Sequence, residues 1–187
     1  PYLLFFGRLS VEKGVDTLLR AFDAALPNLP QDMRLVVVGD GPDAAEFKAL
    51  ASSLDCVSRI EFAGYQTGGA LQAYVERASL AISSSSWREN MPYSIVEAFA
   101  AGTPVIGTDI GGIPELVTEG ETGFECGPGS VESMAKAIER SVSFCADRAA
   151  YEEMQSRCRA YVTEHCNQSK FMNELIELYE REIDGKR

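Results

Sequence analysis

The sequence predicts an α/β protein built on a doubly wound parallel sheet, with extra helices at its carboxyl end. Three observations support this fold class. Short apolar runs alternate about five times with segments of helical spacing, as in chains of β-α units. The apolar runs are continuous, which is typical of strands buried on both faces. With 187 residues, of which 45% are hydrophobic, the chain is long enough to bury the core of one such domain.

The strands are predicted first, because each apolar run is bounded by glycine, serine or proline. Residues 2–6 read YLLFF and end at Gly7, and residues 34–39 read RLVVVG. Four shorter strands are predicted over residues 59–62, 79–83, 104–107 and 123–125.

The helices are predicted from spacing and from start signals. Residues 11–26 carry apolar side chains three and four positions apart, and Pro42 marks the start of a helix that runs to about residue 53. Further helices are predicted over residues 70–77, 91–101, 131–144, 148–163 and 169–183, with a single helical turn over 113–117. The predicted helix over residues 169–183 has apolar residues on one face, including Phe171, Leu175 and Ile183.

Composition excludes several classes of partner. The formal net charge of −11 repels nucleic acid and anionic membrane surfaces, although a local basic site can still hold a small anion. No apolar run approaches the roughly 20 residues that span a bilayer. The five cysteines contain no CxxC pair, which favours reduced thiols in a cytoplasmic protein. Because the chain starts at Pro1 and enters a strand at once, we expect it to be a piece of a longer polypeptide.

Ligands of doubly wound sheets bind at the carboxyl ends of the strands, so the loops there carry the chemistry. The first loop reads GRLSVEKG, with Arg8 and Lys13 at its two ends and Gly7 allowing close backbone approach. The second reads GDGP and places Gly39 and Gly41 before a helix, which a simple turn also explains. Taken alone, two basic residues are more often solvated surface charges than part of a site, but their position at the carboxyl end of a strand favours a site.

The fourth loop places two carboxylates eight positions apart, at Glu89 and Glu97. Asn90 is predicted as the N-cap of the following helix, so that free amides at Met91, Tyr93 and Ser94 attract an anion. At about 1.5 Å per residue the two carboxylates are roughly 12 Å apart along the backbone. This arrangement suits a ligand with phosphate in the middle and hydroxyl-bearing rings at its ends. The alternative is a surface glutamate and a favourable charge at a helix N-terminus.

These motifs together resemble retaining GT-B glycosyltransferases of family GT4. The strings GRLSVEKG, LVVVGDGP, FAGY, the block from Glu89 to Ile106, and GGIPELVTEGETG occur in the family's order, from about Tyr2 to Val142. The chain resembles the C-terminal half of such an enzyme, the Rossmann-like half that binds the nucleotide sugar. In the family the last helices, here about residues 148–187, pack on this domain or on the N-terminal domain.

The resemblance implies a role for each matching residue. Arg8 and Lys13 match the basic pair on the donor diphosphate, Glu89 the acid at the donor sugar, and Glu97 the acid on the ribose hydroxyls. The base and phosphates would be bound by residues of four loops: Gly7, Gly39, Gly41, Tyr65, Gln66, Met91, Tyr93 and Ser94. Two features depart from the family. Asn90–Met91–Pro92 replaces a glycine and a phenylalanine, and the only histidine, His165, lies far from these loops.

The resemblance also implies the partners. They are a nucleotide-diphosphate sugar and an N-terminal acceptor domain of the same chain, and no nucleic acid is expected. The resemblance also allows a membrane-associated acceptor, with peripheral attachment at the inner membrane through the missing N-terminal half. No D-x-D string occurs, so we expect neither a metal nor a cofactor. The fragment alone should be nearly inactive. The alternatives are an epimerase or phosphorylase of the same fold, and a non-catalytic nucleotide-binding module such as a receiver domain, for which Asp40 and Asp109 lie near strand ends.

Overall fold

A computed structural model describes residues 1–166, 172 and 175–181 of the chain. Its centre is a sheet of six parallel strands in the order β3-β2-β1-β4-β5-β6. The strands are β1 Tyr2–Phe6, β2 Arg34–Val38, β3 Ile60–Gly64, β4 Leu80–Ser83, β5 Val105–Thr108 and β6 Gly123–Cys126. The predicted doubly wound parallel sheet is therefore confirmed, and every predicted strand is present to within two residues at its ends.

Six named helices cover the two faces of the sheet. They are α1 Val15–Ala25, α2 Ala44–Ser52, α3 Gly68–Arg77, α4 Tyr93–Ala101, α5 Val131–Phe144 and α6 Arg148–His165. Alternate residues of β1 enter opposite cores. Leu3 and Phe5 pack with residues of α1, α2 and α5, whereas Leu4 and Phe6 pack with residues of α3, α4 and α6. This two-sided burial is the reason that the strands read as continuous apolar runs.

The first predicted helix is interrupted, which is a correction to the sequence prediction. Residues Val11–Lys13 form a 3-10 turn, Gly14 follows in the left-handed region at φ 64°, and α1 begins only at Val15. The reason is a close approach between two loops. A Cβ atom on Gly14 would lie 2.1 Å from the carbonyl oxygen of Ser84, so the backbone of the loop that follows β4 occupies the space that a side chain would need.

Helix α6 packs against this domain. Met154 and Cys158 are buried in the two cores, and the hydroxyls of Tyr151 and Tyr161 donate to the backbone carbonyls of Ser79 and Glu115. His165 ends the helix beside the ring of Tyr161. In the predicted last helix, residues 175–181 are helical, and Phe171 and Ile183 lie outside the described residues. Among the described helices, none has the length and apolar character needed to cross a membrane.

The strand order creates a crevice at one position. The strand order reverses between β1 and β4, which are neighbours in the sheet. The connections leaving the carboxyl ends of these two strands therefore diverge to opposite faces, and the gap between them is the usual ligand position in open α/β sheets. The loops after Phe6 and after Ser83 flank this gap.

Candidate functional site

A cavity of about 930 Å³ lies at the carboxyl ends of β1 and β4. Its size matches that of small-molecule sites, which are typically about 300–1,000 Å³. It brings together loops that follow four strands. The predicted site residues on its wall are Gly7, Arg8, Lys13, Gly39, Tyr65, Gln66, Glu89, Met91, Tyr93, Ser94 and Glu97. Prediction from the sequence missed Asp40, Thr67, Gly68, Leu71 and Ser83 to Ser85, which also line it.

Gly41 is the predicted site residue that the structure places outside this lining. A Cβ atom on Gly41 would lie 2.3 Å from the carbonyl oxygen of Leu9. Gly39 is similar, because its Cβ would lie 1.9 Å from the carbonyl oxygen of Gly7. The glycines of GDGP thus let the loops after β1 and β2 pack closely, which is a structural role for Gly41 and an additional one for Gly39.

Lys13 and Glu89 form the central contact of the site. Lys13 Nζ donates to Glu89 Oε1 over 2.6 Å, and the two side chains are 30% and 19% exposed. Ser85 Oγ donates to the same oxygen over 2.7 Å. Burial raises the pKa of the Glu89 carboxyl, but the hydrogen bonds from Lys13 and Ser85 and the charge of Lys13 outweigh that effect. The net result is a pKa below the usual value, so Glu89 is ionised at neutral pH.

Arg8 lies near the other end of the same loop and is paired with Glu12, four residues further along the chain. Its side chain is 65% exposed, so its reach into the cavity is not fixed by packing. Both basic residues of the GRLSVEKG loop therefore have a carboxylate partner.

The N-terminus of α4 faces the cavity, with Pro92, Tyr93 and Ser94 on the wall. The predicted N-cap at Asn90 is wrong, because Pro92 occupies that position and the helix begins at Tyr93. Among the described residues no acceptor bonds the N–H groups of Tyr93 and Ser94. Since Pro92 precedes these amides, its missing N–H does not reduce their number. Two free donors and the helix dipole remain to attract an anion here.

Glu97 lies on the next turn of α4, exposed and on the cavity wall. In the part of the chain that the structure describes, no hydrogen bond or ion pair engages its carboxylate. On the far side, Tyr65 is 73% exposed and Gln66 donates to the carbonyl of Ala63. The wall thus presents free acceptors at Glu97 and an exposed aromatic ring at Tyr65.

The loop after β5 packs against the backbone of Glu89. Gly112 N–H donates to the Glu89 carbonyl over 2.7 Å. A Cβ on Gly111 would lie 2.4 Å from that carbonyl oxygen, and one on Gly112 would lie 1.9 Å from the carbonyl oxygen of Asn90. Only glycine permits this approach. The pair GG in the sequence was the available signal for it.

Within residues 1–166, 172 and 175–181, no three histidine, cysteine, aspartate or glutamate side chains form a group that could hold a metal ion. Asp40 accepts from the N–H of Gly41. The acidic cluster that a receiver domain needs is therefore not found in the described part of the chain. Metal-independent binding stays a prediction.

Comparison with solved structures supports the fold. The structure of HepE from Anabaena in complex with UDP and glucose superimposes with a TM-score of 0.81 at 23% identity, covering 96% of this chain and 48% of that one. A sucrose-phosphate synthase from Thermosynechococcus elongatus gives a TM-score of 0.80 at 29% identity, covering 99% of this chain and 46% of that one. These neighbours are GT-B glycosyltransferases.

Curated relatives agree with the structural neighbours. An N-acetyl-alpha-D-glucosaminyl L-malate synthase of Bacillus anthracis is 29% identical over 167 residues, which are 89% of this chain and 42% of that protein. A glycogen synthase of Mycobacterium tuberculosis is 35% identical over 145 residues, 75% of this chain and 33% of that protein. The chain thus spans less than half the length of these relatives. The model of the family "Glycosyl transferases group 1" matches residues 1–180, and the chain belongs to that family.

Proposed function

We propose that this chain is the donor-binding domain of a retaining glycosyltransferase that takes a nucleotide-diphosphate sugar. One observation carries the proposal. A single cavity between β1 and β4 is lined by Lys13, by the start of α4 with its free amides, and by the carboxylates of Glu89 and Glu97. Cation and amides suit a diphosphate, and carboxylates accept hydrogen bonds from sugar and ribose hydroxyls. Complexes of HepE with UDP and with UDP-glucose support this ligand class.

The geometry suggests how transfer is assisted. When the bond between the sugar and the diphosphate breaks, its electron pair goes to the departing phosphate oxygen. Lys13, Arg8 and the amides of Tyr93 and Ser94 would stabilise that charge, and the amides do so from positions fixed by the start of α4. Retention of configuration, and an acceptor that belongs to a glycan, polysaccharide or glycolipid, rest on the family resemblance.

The first test is a binding panel by titration calorimetry. UDP, GDP and ADP are compared with UDP-glucose, UDP-N-acetylglucosamine, GDP-mannose and ADP-glucose. We expect one base to bind at least ten times more tightly than the others. Absence of binding by every member of the panel would count against the proposal, and binding of the diphosphate without any transfer in the full-length protein would favour a non-catalytic module.

Replacing Glu97 by alanine should weaken binding of the preferred nucleoside diphosphate by about 1.5–3 kcal/mol, since hydrogen bonds to a charged acceptor are lost. Glu46, exposed on α2, provides the control, because Glu46→Ala removes the same charge away from the cavity. Titration calorimetry measures both variants. Equal affinities for Glu97→Ala and Glu46→Ala would contradict the ribose role.

Chelation should leave donor binding unchanged, because Lys13, Arg8 and the helix amides supply the positive charge that a metal would otherwise bring. Affinity for the nucleotide sugar is measured after exhaustive treatment with EDTA, and again with added Mg²⁺ or Mn²⁺. A loss of binding on chelation that either cation restores would refute metal independence.

Residues 1–187 expressed alone should bind the donor but transfer it at a small fraction of the full-length rate, because we place the acceptor in the other half of the protein. The comparison is transfer per mole of protein, at equal donor occupancy, for the fragment and the full-length chain. Comparable rates would show that acceptor recognition lies within this domain.

A further inference from the structure

Ser85 belongs to no motif, yet it makes one of the two side-chain bonds to the central carboxylate. Its hydroxyl donates to Glu89 Oε1 over 2.7 Å, beside the 2.6 Å bond from Lys13 to the same oxygen. Ser85 is 3% exposed. Its own carbonyl accepts a 2.8 Å hydrogen bond from the hydroxyl of Thr108 on β5. Ser85 is therefore fixed to the sheet at its backbone and to Glu89 at its side chain.

This arrangement separates the two oxygens of Glu89. Oε1 receives both donors, whereas within the described residues no donor is bonded to Oε2. Two donors on one oxygen fix the plane of the carboxylate, and the bond from Gly112 fixes its backbone. The acceptor capacity that remains for a ligand is concentrated on Oε2.

The neutral donor matters most once a diphosphate is bound. The ammonium of Lys13 sits on a flexible stem and has three protons, so phosphate oxygens compete with Glu89 for it. Ser85 is almost fully buried, so its hydroxyl is far less accessible to phosphate oxygens and keeps its bond to Glu89. In the ligand-bound state Ser85 would then be the contact that prevents Glu89 from rotating.

We propose that Ser85 is a positioning residue that orients Glu89 so that Oε2 accepts from the hydroxyl groups of the donor sugar. The inference rests on the proposed function and makes it more specific. Ser85 should affect recognition of the sugar and leave recognition of the nucleoside diphosphate unchanged, because it acts through Glu89 alone.

A titration provides a second readout, one that packing alone would not change. The charged groups that act on Glu89 are Lys13, which lowers its pKa, and Glu12, which raises it, with Ser85 as the neutral donor. Removing the Ser85 hydroxyl removes a bond to the ionised form, so the pKa of Glu89 rises. Because an ionised carboxylate accepts from sugar hydroxyls more strongly than a protonated carboxyl does, the acidic limb of sugar-nucleotide binding should move to higher pH.

The experiment compares Ser85→Ala with wild type in the full-length protein. The probes are the nucleotide sugar that binds most tightly in the panel above and its matching nucleoside diphosphate. We expect about a tenfold loss of affinity for the nucleotide sugar and less than a twofold change for the diphosphate. Ser86→Ala is the matched control, because that hydroxyl donates to the carbonyl of Glu12 and makes no bond to Glu89. Circular dichroism checks that each variant is folded.

Each outcome discriminates between explanations. If wild type binds neither probe, the proposed function fails. If wild type binds both and Ser85→Ala matches it in affinity and in pH profile, the role of Ser85 is overturned while the function stands. An equal loss for both probes also overturns it, since that indicates a general distortion of the loop. Should Ser85→Ala not fold, Ser85→Cys keeps the side-chain size with a weaker donor and is subject to the same comparisons.

Discussion

Replacing Lys13 by methionine should lower the rate of sugar transfer by about 10²–10³-fold, the loss seen when one fixed donor to a developing negative charge is removed. The bond from Ser84 Oγ to the Lys13 carbonyl fixes the backbone of Lys13, and its ammonium lies at the cavity beside Glu89. Methionine keeps most of the stem length and removes the charge. The measurement is the initial rate of the full-length protein at saturating donor, with donor affinity determined in parallel.

Lys136→Met is the control for this change. Lys136 forms an exposed ion pair with Glu132 within α5, and pairs of that kind contribute little. We expect its transfer rate to match that of wild type. If Lys13→Met retained a wild-type rate, the charge of Lys13 would have no part in the departure of the diphosphate.

Replacing Gly14 by alanine should reduce the free energy of unfolding by about 3–4 kcal/mol. Two effects combine. The residue has φ 64°, a conformation that costs an L-amino acid about 1–2 kcal/mol, and its Cβ would lie 2.1 Å from the Ser84 carbonyl oxygen. To remove that overlap, the turn that carries Lys13 must move away from the loop that follows β4. Urea unfolding followed by circular dichroism measures the stability, and the Kd for the nucleoside diphosphate reports the displacement.

Gly120→Ala separates the two effects. Gly120 also lies in the left-handed region, at φ 75°, but a Cβ there would meet no atom within 4 Å. Its expected cost is about 1–2 kcal/mol from the backbone conformation alone, with no change in ligand affinity. Equal destabilisation by the two substitutions would show that the contact between Gly14 and Ser84 contributes nothing.

The fold could be predicted from the sequence because its signals are local. Each strand is buried on both faces, so a continuous apolar run marks it, and the alternation with helices implies parallel pairing. The break at Gly14 could not be predicted, because it depends on the Ser84 carbonyl, which the fold brings close from far along the chain. For the same reason Asn90, a good N-cap by residue type, is not used. Gly112 packs against its carbonyl and the chain turns into the helix later, at Pro92.

The roles predicted for the site residues stay predictions, and the structure shows only where these residues lie. Family motifs pointed to residues that the structure brings to one cavity, with Gly41 as the exception. Motifs do not reveal the contacts between those residues. The structure shows that Lys13 is bonded to Glu89, that Ser85 shares the same oxygen, and that Arg8 is paired with Glu12. These contacts depend on the positions of side chains, which the sequence motifs do not specify.

The charges on the cavity wall determine how an anionic ligand is selected. Two cations, Arg8 and Lys13, face three carboxylates, Asp40, Glu89 and Glu97, so the fully ionised wall carries a formal charge of −1 within a chain of −11. Long-range attraction therefore cannot guide a nucleotide diphosphate inward. At the ionic strength of a cell, the Debye length of about 8 Å screens most of the repulsion outside the mouth. For the proposed diphosphate ligand, discrimination would then begin at contact, where the amides at the start of α4 and the two ion pairs of Arg8 and Lys13 meet the phosphate oxygens.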